Sequence, residues 1–144
     1  MPPQPGVKFL YLFCNDLHTM RNFYSDLLGL NEIYYSEMPD RTVAYDCDGL
    51  QFTIIFNAAA QKASPGWAWQ PGWQTGSNPI ISWSIVLTDG VFQTAVQNLK
   101  GASVETFYEE PQWQNYWSFP VKDPMGNTVE IVLASEEEPK NSDL

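Results

Sequence analysis

The two halves of this chain carry the same succession of strand and helix signals. In the first half, strand-like, helical and again strand-like patterns fall at 7–14, 17–28, 31–37, 42–47 and 50–57. In the second half, the same order recurs at 80–88, 89–101, 103–109, 115–121 and 127–133. Asp16 and Asp89 stand at matching helix starts, and Gly49 and Gly126 stand at matching turns. Each half therefore predicts a βαβββ module, and the repeat determines the architecture.

The 144 residues are the length of one compact domain. We predict a single domain, 1–144, built from the repeats 7–57 and 80–133 and ending in an acidic tail at 134–144. The segment 58–79 between the repeats is rich in Ala, Gly, Pro, Ser and Gln and carries Trp67, Trp69 and Trp73. A stretch of this length without periodicity is a linker or a functional loop. Its tryptophans either cover a pocket and stack on a ligand, or pin the linker to the body or to a dimer partner.

The net charge of −10 argues against nucleic-acid and anionic-membrane partners and leaves a cationic ligand open. No apolar run approaches the roughly 20 residues that span a bilayer. The first residues, Met-Pro-Pro-Gln-Pro-Gly, lack the basic and apolar regions of a signal peptide, so we expect a cytoplasmic protein. Cys14 and Cys47 are expected to be ordinary core residues, and His18 a surface residue of the first helix.

One carboxylate lies in the middle of an apolar strand. The stretch 118–132 is a strand, a turn at Asp123-Pro124-Met125-Gly126-Asn127, and a second strand. In the second strand, Glu130 alternates with Val129 and Ile131. An acid in this position is either a functional group that orients a ligand or acts as a base, or a carboxylate satisfied by Thr53, Ser82 or water.

Two motifs resemble those of the vicinal oxygen chelate superfamily, which includes glyoxalase I, extradiol dioxygenases and the bleomycin and fosfomycin resistance proteins. The first comprises Asn15-Asp16-Leu17, Phe23-Tyr24 and Leu28-Gly29-Leu30. The second runs from Phe119 through the 123–127 turn to Glu130. Together with the repeat, the resemblance covers about 7–133. It implies an α+β fold of two βαβββ modules that form a cupped mixed sheet backed by helices.

The resemblance also implies where the enzymes of this superfamily hold a divalent metal. Counted onto this chain, the four positions are Phe9, Thr53, Ser82 and Glu130. Phe9 has no donor atom, Thr53 and Ser82 offer neutral hydroxyls, and a stable site needs several good N, O or S donors. We therefore predict no metal and no other cofactor.

The strand alternation predicts which side chains line the cup. The residues expected to face inward are Phe9, Tyr11, Phe13, Thr53, Ile55, Ser82, Ser84 and Val86. Trp113, Tyr116 and Trp117 precede the last turn, where the resemblance places the rim. An apolar aromatic wall with a few hydroxyls is typical of a small-molecule pocket, although the same side chains could simply fill the cup. The predicted ligand-binding residues are Phe9, Tyr11, Phe13, Thr53, Ile55, Ser82, Ser84, Trp113, Tyr116, Trp117 and Glu130.

Three functions follow as hypotheses. The first is a metal-free, homodimeric binding protein resembling the bleomycin-resistance branch, which holds an aromatic or cationic small molecule in an aromatic cup. The second is a glyoxalase-like lyase or isomerase in which Glu130 is the catalytic base, with weak or no metal. The third is an interaction module with a closed cup.

Overall fold

The computed structural model describes residues 6–62 and 82–133. The chain divides into two compact units, Met1–Gln61 and Lys62–Leu144, and the division falls within the predicted linker. The tryptophan loop with Trp67, Trp69 and Trp73 and the acidic tail lie outside the described residues. Within the described part of the chain, none of the helices has the length and apolar character needed to cross a membrane.

The first unit forms a four-stranded mixed sheet with one interrupted helix. Its elements are β1 (Phe9–Cys14), α1 (Leu17–Arg21), a π-helical continuation (Asn22–Leu27), β2 (Asn31–Ser36), β3 (Thr42–Cys47) and β4 (Leu50–Phe56). The strand order is β1-β4-β3-β2. β1 runs parallel to β4, and the other neighbours are antiparallel.

Local chemistry sets the limits of these elements as the sequence predicts. The Asp16 carboxylate caps α1 by accepting from the Thr19 N–H at 3.2 Å. The helical segment ends at Gly29, which adopts a φ of +74° that costs a glycine little. Asp48 and Gly49 both have positive φ, which is the geometry of a tight hairpin turn between β3 and β4.

One face of this sheet packs against the helical segment and forms the core of the first unit. The sheet residues of this core are Leu12, Cys14, Val43, Tyr45, Phe52 and Ile54, and the helical ones are Leu17, Met20, Phe23, Tyr24 and Leu28. The Tyr24 ring lies 4.9 Å from the Phe52 ring and 6.2 Å from the Tyr45 ring.

The second unit repeats the arrangement. Its elements are β5 (Ser82–Val86), α2 (Asp89–Gly101), β6 (Gln112–Trp113), β7 (Trp117–Lys122) and β8 (Thr128–Leu133), in the order β5-β8-β7-β6. β5 is parallel to β8, as β1 is to β4. The apolar face of α2 contributes Phe92, Ala95, Val96 and Leu99 to a core with sheet residues such as Phe119 and Ile131. The predicted fold class, two βαβββ modules, is confirmed.

The prediction of a strand at 103–109 is wrong. This segment makes only an isolated bridge between Thr106 and Val121, and the regular strand β6 is the short pair 112–113. Pro120 supplies the physical reason. Its carbonyl accepts from the Phe107 N–H at 3.1 Å, but a proline has no N–H to return the bond, so the ladder cannot continue.

Candidate ligand-binding site

Glu130 lies on the central strand of the second sheet, on the face away from α2. In the register, Glu130 is opposite Ser84 of β5 on one side and Pro120 of β7 on the other. Its neighbours Val129 and Ile131 are fully buried on the helix-facing side. Glu130 itself is only 2% exposed. A carboxylate at this depth requires hydrogen-bond donors around it.

The turn before β8 fixes this register. The Asp123 Oδ1 accepts from the backbone N–H groups of Met125 at 2.9 Å and Asn127 at 3.0 Å. The Asn127 amide donates back to Asp123 Oδ2 at 3.0 Å, and Gly126 adopts a φ of +82°. Because a slip of one residue would move Glu130 to the other face, this turn determines where the carboxylate points.

Three hydroxyl groups surround the Glu130 carboxylate. The Ser84 Oγ donates to Oε1 at 2.6 Å, and the Ser118 Oγ donates to Oε2. The Tyr116 phenol lies close enough for the Glu130 carboxylate to affect its pKa. Burial raises the pKa of Tyr116 most, and the nearby Glu130 carboxylate raises it further. The carboxylate is therefore satisfied by hydroxyls of its own module.

This cluster differs in part from the predicted partners. Thr53, proposed as a partner of Glu130, accepts from the Gln51 amide at 3.2 Å within the first unit. Ser118 was missed by the sequence reasoning. The signal was available, because pairing the strands on either side of the 123–127 turn places Ser118 on the Glu130 face, diagonal to it.

The aromatic residues before the last turn separate by face. Trp117 pairs with Leu133 and Trp113, so the alternation puts both tryptophans on the face opposite Glu130. The two rings make an edge-to-face contact with centroids 5.7 Å apart. Of the three predicted rim residues, the structure brings only Tyr116 to Glu130.

In the first unit, large aromatic side chains lie on the open face of the sheet. Phe9, Tyr11 and Phe13 follow one another on that face of β1, and each is slightly more than half exposed. The Phe9 and Tyr11 rings stack with centroids 6.2 Å apart. Ile55, which is half-buried, pairs with Phe13 on this face. The register confirms that these predicted residues share a face.

A row of residues across this sheet has aromatic ends and a small middle. Tyr11, Thr53, Ala44 and Tyr34 are aligned from β1 through β4 and β3 to β2. Thr53 and Ala44 are buried, whereas Tyr11 is 53% and Tyr34 is 46% exposed. In this tyrosine row, two exposed tyrosines therefore flank two small residues that are almost fully buried.

The remaining predicted residues fall as follows. The backbone of Ser82 pairs with Thr128, and Val86, on the Glu130 face, is exposed. His18 is exposed on α1, with Nε2 3.3 Å from Glu37, as predicted for a surface residue. Cys14 is buried and Cys47 is partly buried, and the two are not joined by a disulfide.

The model of the Glyoxalase/Bleomycin resistance protein/Dioxygenase superfamily matches residues 6–131. The chain belongs to this superfamily. Comparison with curated protein sequences gives no match.

Solved structures of the glyoxalase/bleomycin resistance/dioxygenase superfamily share the fold. A glyoxalase/dioxygenase from Nostoc punctiforme is 17% identical with a TM-score of 0.71, over 91% of this chain and 92% of that one. Lactoylglutathione lyase from Agrobacterium tumefaciens is 19% identical with a TM-score of 0.61, over 92% and 96%. Fosfomycin resistance protein FosX from Mesorhizobium loti is 11% identical with a TM-score of 0.60, over 94% and 95%.

The residues at the superfamily's metal positions do not fit a divalent ion. Of the four, Phe9 carries no donor atom, and both carboxylate oxygens of Glu130 accept from serine hydroxyls. Among residues 6–62 and 82–133, no three His, Cys, Asp or Glu side chains are grouped as a metal site requires. The chemistry of this face is therefore that of carboxylate and hydroxyl groups.

Proposed function

We propose that this chain is a metal-free small-molecule-binding protein whose ligand carries an aromatic or cationic group. The observation that carries the proposal is the run of half-exposed aromatic side chains Phe9, Tyr11 and Phe13 on the open face of the first sheet. Soluble proteins rarely leave contiguous large apolar side chains in water unless they serve as a binding surface.

The tyrosine row supports a planar ligand. The strand order places Tyr11 and Tyr34 three strand spacings apart, or about 14 Å. Between them, Thr53 and Ala44 have small side chains. A fused ring system can lie over these two residues with its edges against the tyrosine rings.

The charges near the tyrosine row favour a cation. Asp46 is exposed and belongs to the same face, aligned with Gln51 and Phe9. At the β2 edge, the Tyr34 hydroxyl donates to Asp40 at 2.7 Å. Aromatic faces attract cations, and the net charge of −10 adds to this preference.

The test is a fluorescence titration with ethidium, a planar cation, and with fluorescein, a planar anion. We expect saturable binding of ethidium and weaker binding of fluorescein. Tyr11→Ser should weaken ethidium binding about tenfold, because a stacking contact is lost. Val7→Ser, an exposed apolar position outside β1, is the matched control and should bind like the wild type. The proposal fails if folded protein binds neither dye, or if both variants behave alike.

A second candidate is a lyase or isomerase that uses Glu130 as its base. The observation that favours it is the placement of two proton-carrying hydroxyls, those of Ser84 and Ser118, on one carboxylate. The structural neighbours include one named as a lyase and one named as a resistance protein, so the fold accommodates both roles. The test is turnover of α-keto hemithioacetals, which the wild type would catalyse and Glu130→Gln would not.

A further inference from the structure

Glu130 determines the direction of every hydrogen bond in its cluster. An ionised carboxylate only accepts, so a hydroxyl that bonds to it must spend its single proton on that bond. Ser84 and Ser118 do so in this structure, each to a different carboxylate oxygen. The oxygen atoms of these hydroxyls can therefore only accept a hydrogen bond from another group. The cluster as a whole offers acceptors, and no donors, to a ligand.

Ser84 is the member of the cluster that faces the surface. Ser118 and Glu130 are buried, whereas Ser84 is exposed on the edge strand β5. Val86, two residues further along the same face of β5, is 67% exposed. Among the described residues of β5, the accessible part of the Glu130 face therefore combines a hydroxyl oxygen that can only accept with the apolar side chain of Val86.

The charges around the cluster are compatible with a bound cation. Lys122 is a cationic side chain on the same face, immediately before the 123–127 turn and opposite Thr128. Its ammonium group lies 3.4 Å from the Glu105 carboxylate, so its charge is compensated there. The Glu130 carboxylate accepts hydrogen bonds from neutral hydroxyls, which do not compensate its negative charge.

We propose that Ser84, backed by Glu130, is a subsite for a cationic hydrogen-bond donor, such as a primary ammonium or amidinium group attached to a small apolar body. The donor N–H bonds to the Ser84 oxygen, the negative charge of Glu130 stabilises the cation through that hydroxyl, and the apolar body contacts Val86. A carboxylate or ketone of the same size is rejected, because it would place an acceptor against an acceptor. This inference rests on the proposed binding function and specifies the chemistry of the ligand in the second module.

The test uses three small probes of similar size: benzylamine, benzyl alcohol and phenylacetate. Each is titrated into isotopically labelled protein, and the amide shifts of residues 84, 118 and 130 are followed by NMR. We expect saturable shifts at these amides with benzylamine, weaker ones with benzyl alcohol and none with phenylacetate.

Variants separate the role of the hydroxyl from a general charge effect. Ser84→Ala should weaken benzylamine binding about tenfold or more, as for a lost hydrogen bond with a charged partner, and Ser84→Thr should restore it. Thr88→Ala, an exposed hydroxyl just after β5 that makes no side-chain capping bond, should bind like the wild type.

The outcomes distinguish this inference from the proposed function. Phenylacetate shifts equal to those of benzylamine, an unchanged affinity in Ser84→Ala, or no saturable shift at residues 84, 118 and 130 would each overturn it. If benzylamine leaves these residues unchanged while ethidium still binds through Tyr11, the binding function stands and the Ser84 subsite is refuted.

Discussion

Ser84 and Glu130 lie directly opposite each other in the parallel pairing of β5 and β8, and their side chains are joined by a 2.6 Å hydrogen bond. The two residues are 46 positions apart in the sequence. Their contact links the first and last strands of the second module on the face that would carry a metal in enzymes of the superfamily. In this chain, the Ser84 hydroxyl donates to the Glu130 oxygen that a metal would otherwise bind.

The two serines on Glu130 should differ in their effect on stability. Ser118→Ala removes a donor inside the protein, where no water replaces it, and should lower the free energy of unfolding by about 1–3 kcal/mol. Ser84→Ala should cost less than about 1 kcal/mol, because water can reach Glu130 from the exposed edge. Urea unfolding of both variants measures the difference. A larger loss of unfolding free energy for Ser84→Ala than for Ser118→Ala would show that water reaches the carboxylate from the Ser118 side.

The Asp123 turn should be the most sensitive polar element of the second module. Asp123→Ala removes the acceptor of two backbone N–H groups and the partner of the Asn127 amide, and should cost roughly 2–4 kcal/mol. Asp46→Ala removes an exposed acceptor that receives one bond, from Gly49 at 3.3 Å, and should cost less than about 1 kcal/mol. Thermal unfolding of the pair measures this. Equal losses would contradict the assigned role of the turn.

Arg21 should stabilise the first module by joining α1 to β2. Its guanidinium donates two bonds to Glu32, at 2.9 and 3.0 Å, and lies 3.5 Å from the Tyr35 ring. Arg21→Ala should cost about 1–2 kcal/mol. Lys100→Ala, which breaks the more exposed ion pair with Glu110, should cost roughly 0–1 kcal/mol. Urea unfolding compares the two variants.

The Arg21 effect should also depend on pH. The hydrogen bond from Arg21 is the main cause that lowers the pKa of Glu32 from its ordinary value of 4.5. A carboxyl group with a lowered pKa stabilises the folded state at pH values above its ordinary pKa. This contribution is lost as the pH falls through the lowered pKa. The difference between wild type and Arg21→Ala should therefore shrink below pH 4.5. A difference that is constant with pH would argue against the ion pair.

Tyr45 should make the protein sensitive to alkaline pH. Burial of its side chain is the main cause that raises its pKa from 10.0 to about 12. Because its pKa is raised, Tyr45 contributes to the stability of the folded state. This contribution is complete at pH values below the ordinary pKa of 10.0 and is lost as the pH rises toward about 12. Tyr45→Phe should reduce the loss of stability over that range. A wild type and a Tyr45→Phe variant with parallel stability curves above pH 10 would refute this prediction.

Divalent metals should leave the thermal stability unchanged. An ion that binds the folded state raises the melting temperature with its concentration, and the donors at Phe9, Thr53, Ser82 and Glu130 are too few for this. Melting curves with Ni²⁺ or Zn²⁺, against a chelator control, should superimpose. A saturable rise in the wild type that is absent in Glu130→Gln would demonstrate the metal site that we argue against.

Much of the fold was accessible from local signals. The helix cap at Asp16, the hairpin at Asp48 and Gly49 and the turn at Asp123 depend on interactions within a few residues, and the structure confirms each of them. The sequence failed at 103–109, because the missing N–H of Pro120 interrupts pairing from a neighbouring strand. A prediction made from the pattern of the 103–109 segment alone does not take account of a proline in the neighbouring strand.

The sequence predicted several of the residues at the candidate site, but it predicted fewer of the contacts between them. Alternation along β1 correctly groups Phe9, Tyr11 and Phe13 on one face. Alternation also separates Tyr116 from Trp117, yet the two were assigned to the same rim. Ser118 was overlooked because its role depends on an antiparallel register across the turn.

The sequence by itself determined the repeated βαβββ pattern, the superfamily and the poor metal donors, since these follow from local patterning and residue chemistry. Only the tertiary structure decided which groups contact Glu130. Its serine partners come from β5 and β7, and their hydroxyls reach the carboxylate because strand pairing brings distant residues within hydrogen-bonding distance. Register is a property of paired strands, so no single stretch of sequence contains it.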